Sequence, residues 1–155
     1  MGKVAHLMLT VLICLPAPLS STPSAGQPTS TTNPTLTQPI PIGMLNLLDR
    51  NAGAHPQLRR AMLGINILKP YQGQGYGTEA IEWGLHWGFH HANLHKIHLG
   101  CFGWNEGAER LYKKLGFVEE GRFRDHLWHE GKWWHVVEMG MLEDEWRESR
   151  GWKGA

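Results

Sequence analysis

Cysteine is scarce in this chain, and so is net charge. Cys14 and Cys101 are the two cysteines among 155 residues, too few for a disulfide framework. The net charge is +1, which excludes an argument for nucleic acid or an acidic membrane surface as partner. No apolar run reaches the roughly eighteen residues that a membrane span needs. Charged residues are nearly missing from Pro16 to Pro39, where Ser, Thr and Pro dominate. Such a segment buries too little apolar surface to order itself, so a linker or long loop is expected over 16–41. At this length the chain holds one domain with a real core.

Glycine is what the chain has in a telling arrangement. Gln72-Gly73-Gln74-Gly75-Tyr76-Gly77-Thr78 follows the β-like run Ala61 to Leu68 and precedes a helical stretch from Glu79. Alternate glycines leave the backbone bare where a strand hands over to a helix. Several N–H groups and the positive end of the helix dipole then converge on one point, which suits a phosphate or pyrophosphate. A P-loop is excluded, because Gly77 is followed by Thr78 and Glu79 with no lysine. A dinucleotide fingerprint is excluded too: the glycine spacing differs, and Lys96, Ile97 and His98 stand where an acidic residue is needed.

Thirty residues on, Asn105-Glu106-Gly107-Ala108-Glu109-Arg110-Leu111-Tyr112-Lys113-Lys114-Leu115-Gly116-Phe117 places Ala108, Leu111, Tyr112 and Leu115 on one helical face. Asn105 is a good N-cap and Gly116 a good C-terminal stop. With Gln72-x-x-Gly75-x-Gly77 upstream, this pattern resembles the GNAT-type N-acetyltransferases. Gly116-Phe117-Val118-Glu119-Glu120-Gly121-Arg122-Phe123-Arg124 is similar to the RimJ/RimL-like branch. The resemblance is specific from about Ile42 to Trp146. It implies an α/β (α+β) fold with a mixed sheet, flanking helices and two central parallel strands that splay apart. It also implies acetyl-CoA as cosubstrate, an amine acceptor and an intracellular, cytoplasmic setting. Gln72, Gly73, Gln74, Gly75, Tyr76, Gly77 and Thr78 would bind the cofactor. Asn105 would hydrogen-bond near it, and Tyr112 would protonate the departing thiolate.

Along the chain, residues 1–15 read as a strand from Met8 to Leu15. The alternative is a signal-like segment and a secreted protein, since Lys3 precedes an apolar run and small residues lie near Ser24 and Ala25. Residues 42–146 form the GNAT-like domain and 147–155 a tail. Expected strands are Ile42–Asp49, Ala61–Leu68, Lys96–Phe102, Phe117–Arg124 and Trp133–Leu142, with Arg50 to Leu58 as a connecting loop. Helices are expected from about Thr78 to Ala92, over the Asn105 segment, and from Glu143 to Arg150. Ala80, Ile81, Gly84, Leu85, Gly88 and Phe89 make the apolar stripe of the first, and Glu130-Gly131-Lys132 supplies a hairpin turn. Residues 1–41 carry no recognisable version of the two helices with which the resembled fold opens. A shortened chain, or one with an atypical wall there, is expected.

Acetyl transfer to an amine needs the amine neutral. A lysine side chain at pH 7 is neutral only about once in 2,500 molecules, a cost of about 4.6 kcal/mol, whereas an α-amino group costs about 1 kcal/mol. The strand before the glycine loop, Ala61 to Leu68, carries no carboxylate. His98 and Glu138 are the candidate substitutes through water, and without a strong base the expected acceptor is a primary amine, a peptide N-terminus or a small amine. His86/His90 and His91/His95 have spacing that can bridge a metal, but no carboxylate or cysteine completes a site, and solvated helix surface is the expectation. A CoA-binding or interaction module without turnover is the rival to an enzyme.

Overall fold

The computed structural model describes residues 6–17, 38–49 and 55–151. Expectations for 18–37 and for 50–54 lie outside the described residues. Among the described residues six strands form one sheet: β1 (His6–Leu15), β2 (Ile40–Asp49), β3 (Arg60–Ile67), β4 (Lys96–Phe102), β5 (Val118–His129) and β6 (Lys132–Leu142). Their order across the sheet is β1-β2-β3-β4-β6-β5. Every neighbouring pair is antiparallel except β3 and β4, which run parallel. The α-helices of the described residues are α1 (Tyr76–His86), α2 (Glu106–Leu115) and α3 (Glu143–Ser149).

Alternation along the strands gives the sheet two unlike faces. Leu45, Leu47, Ala61, Leu63, Ile97, Leu99, Cys101, Val137, Met139 and Met141 turn to one side and are buried with Ile81, Leu85 and Phe89 from the first helix and Trp146 from α3. The expected stripe on that helix is thus the core face, with Ala80 only half-buried. Gly84 rests on Leu45, and a Cβ on Gly88 would stand 2.6 Å from Ile97 Cδ1. That close approach marks a change in the helix. The regular α-helix stops at His86 rather than Ala92, and Trp87–His91 form one wider turn in which Ala92 N–H donates to Trp87 O at 3.0 Å.

Local signals set the other boundaries. Asn105 accepts from Ala108 N–H through its side chain, and Gly116 ends α2 with φ 99°. Glu130 and Gly131 have φ 48° and 80°, the doubly positive pair of a tight two-residue hairpin turn. β5 reaches His129 instead of stopping at Arg124, because its ladder with β6 resumes at Leu127↔Trp134 after an irregularity. Cys14 is exposed and Cys101 buried, and both are free thiols. Among the described residues no helix is long and apolar enough to cross a membrane.

Candidate functional site

The parallel pair holds together only briefly. Arg60↔Lys96, Ala61↔Ile97 and Met62↔His98 are in register, and there the pairing stops. Beyond it β3 stays bound to β2 as far as Ile67, and β4 to β6 as far as Phe102. The two strands therefore part, and the facing edges of Leu63–Ile67 and Leu99–Phe102 are left without ladder partners. Such edges pair with an amide-bearing ligand.

A cavity of about 560 Å³ opens beside this gap. Ile65, Asn66 and Ile67 of β3 form one wall, the loop residues Gln72, Gly73, Gly75, Gly77 and Thr78 another, and Asn105, Ala108, Leu111 and Tyr112 a third. Two segments separated by about thirty residues in sequence thus meet around one space. Tyr71, Gly107 and Asn66 also line it and were not foreseen. Nothing in their local sequence separates them from ordinary turn, helix and strand residues.

The loop's shape follows from its glycines. Gly73 and Gly75 have φ 73° and 93°, and a Cβ on either would meet nothing within 4 Å. Gly75 caps α1, whose first amide to bond back is Glu79 N–H, to Gly75 O at 3.1 Å. The first amides of a helix have no intrahelical acceptor, so those of Tyr76, Gly77 and Thr78 stand at a positive dipole end. Gln72 Nε2 donates to Ile67 O at 2.8 Å, and Gln74 Nε2 to Pro70 O at 3.0 Å. These two side chains brace the loop against the end of β3 and the turn after it. Gln74 and Tyr76 are not among the cavity-lining residues. Tyr76 instead lines a separate groove between β1 and α1 with Val11, Ile13 and Trp83.

Tyr112 sits on the inner face of α2 with its ring edge-on to Phe117 at 5.9 Å. Burial first, and then proximity to Cys101, push its hydroxyl up to about 12. The cavity thus contains a phenol that keeps its proton at neutral pH. Neither His98 nor Glu138 lines the cavity. The histidine pairs meet differently from a metal site: His86 lies 5.2 Å from His90 and 5.4 Å from His91 between ring centroids, and edge-on to Trp146. Among the described residues no cluster of three metal-ligating side chains occurs.

Comparison with known proteins agrees with this geometry. The pattern of the Acetyltransferase (GNAT) family matches residues 32–117, more than half of the chain. Spermidine N(1)-acetyltransferase of Escherichia coli K12 is 33% identical over 87 residues, covering 56% of this chain and 47% of that protein. The Vibrio cholerae enzyme of the same name is 34% identical over 104 residues, 67% of this chain and 58% of its own. A structure of the Vibrio cholerae spermidine N-acetyltransferase with CoA and spermine superposes with a TM-score of 0.63 at 31% identity, covering 70% of this chain and 62% of that one. The chain spans about half the length of the curated relatives it matches.

Proposed function

The chain belongs to the acetyltransferase (GNAT) family, and on that premise we propose that it transfers the acetyl group of acetyl-CoA to a primary amine by direct attack. The observation that carries this reading is the shared cavity. The glycine loop at the N-terminus of α1, the end of β3 beyond its parting from β4, the α2 N-cap Asn105 and Tyr112 of α2 all open onto it. Those elements match the parts of the cosubstrate in order. Gly73 to Thr78 hold the pyrophosphate with backbone amides and a helix dipole. The unpaired strand edges receive the amide-rich pantetheine arm, and backbone N–H groups of β3 face the acetyl carbonyl, where negative charge develops.

Acetyl-CoA supplies the thioester. Tyr112 supplies a proton to the departing sulfur, its hydroxyl being protonated at neutral pH and its side chain lining the cavity. The acceptor is a peptide N-terminus or a small amine. The relatives named for spermidine support the second, and the low cost of neutralising an α-amino group supports the first.

Calorimetric titration with CoA, followed by mass-spectrometric detection of acetylated product, tests the proposal. The acceptors are a free-N-terminus peptide, the same peptide N-blocked with an internal lysine, and spermidine. CoA binding with transfer to at least one amine is expected. CoA binding with no transfer to any amine would identify a binding module without turnover.

A further inference from the structure

The sheet face that no helix of the described residues covers carries a second arrangement, where β3 and β4 part company. Met62↔His98 is the last parallel pair. Two residues further along each strand, on the same face, stand Gly64 and Gly100. A Cβ on Gly64 would meet only Asn46 Nδ2, at 3.8 Å. The diverging strands therefore carry no side chain at their first unpaired position on this face, leaving a window toward the gap.

One carboxylate overlooks it. Glu138 of β6 pairs with Gly100 on one side and with Gly121 of β5 on the other. Glycines in its own row let its side chain lie flat over Gly100, where Oε1 would be 3.4 Å from an added Cβ. His98 lies one row back, with Nδ1 3.9 Å from Glu138 Oε2. Their side chains are 24% and 38% exposed, so both reach solvent from a semi-enclosed position. Of the charged neighbours on this face, Lys96 and Glu120 are engaged with each other at 2.6 Å, and Arg60 of β3 stands opposite Lys96 in the parallel register.

We propose that His98 and Glu138 are the acceptor subsite of this chain, Glu138 holding the incoming ammonium over the Gly64–Gly100 window and His98 taking its proton. The inference rests on the acetyl-transfer reading and supplies the base that β3 lacks. A carboxylate beside the path favours the amine in its cationic form, and a neutral imidazole accepts the proton before attack. The nitrogen–carbon bond then forms and the carbon–sulfur bond breaks. Of the two protons nitrogen gives up, one passes through His98 to water. The other replaces the proton that Tyr112 gives to sulfur.

Steady-state kinetics on Glu138→Gln, His98→Gln and Gly100→Val decide it, with CoA affinity measured separately by calorimetry. Expected for Glu138→Gln is an amine KM raised about tenfold, the worth of about 1.4 kcal/mol, with CoA affinity unchanged. His98→Gln should lower kcat by about 10²-fold or more and remove the acid limb of the pH–rate profile. Gly100→Val should raise the amine KM by closing the window while CoA affinity holds. If the parent chain acetylates amines and both polar variants keep its kcat/KM and pH profile, the subsite assignment falls and the acetyl-transfer reading stands. If the parent binds CoA and acetylates nothing, both fall. Circular dichroism checks each variant's fold, and His98→Gln decides alone should Glu138→Gln fail to fold.

Discussion

Replacing Gly75 with alanine separates two things a glycine does here. Its φ of 93° lies in the region that L-residues rarely adopt, and a Cβ would meet nothing within 4 Å. The cost to folding is therefore backbone strain alone, about 1–2 kcal/mol, with no clash added. For a domain of this size each kcal/mol lowers Tm by about 2–4 °C, so a drop of about 2–8 °C is expected. Gly131 offers a matched control, with φ 80° and equally open space, in the β5–β6 turn rather than at the cavity. Gly131→Ala should lose stability by the same amount and leave CoA affinity unchanged. Gly75→Ala should weaken CoA binding as well, and Gly75→Val more so, because the side chain enters the space beside the amides of Tyr76, Gly77 and Thr78. Thermal denaturation and calorimetric CoA titration of the three variants give both quantities. A folded Gly75→Val variant that binds CoA as tightly as the parent would show that the phosphates lie elsewhere.

Tyr112→Phe should cut turnover about 10²–10⁴-fold while CoA affinity is kept; a variant running at the parent rate would leave Tyr112 a packing residue. Because folding raises its hydroxyl from 10.0 to about 12, the stability it contributes is present below pH 10 and is lost as pH rises through about 12. That alkaline loss should be missing from Tyr112→Phe in denaturation curves taken across this range. Asn105→Ala should cost about 1 kcal/mol by removing the bond from Ala108 N–H. Asn105→Asp should keep that stability yet raise the KM for acetyl-CoA, since a carboxylate retains the cap but loses the amide donor.

What the sequence by itself determined was local. Gly73 and Gly75 at positive φ, the Asn105 cap, the Gly116 stop and the Glu130-Gly131 turn each follow from the backbone preferences of one or two residues. Period-two and helical patterns placed most strands and helices to within a few residues, because side-chain periodicity is a property of a single element. Where α1 stops was less legible. Its apolar stripe continues to Phe89, and the shift to a wider turn comes with Gly88 pressed against Ile97, a residue of another element. Only the tertiary structure decided which residues share a space. Tyr76 belongs to the glycine motif yet faces the β1 groove, while Asn66, from a strand with no marked signal, lines the cavity. His98 and Glu138 are 40 positions apart and become neighbours because β4 pairs with β6. Pairing of that kind is set by where whole strands find room in the sheet, and no short stretch of sequence encodes it.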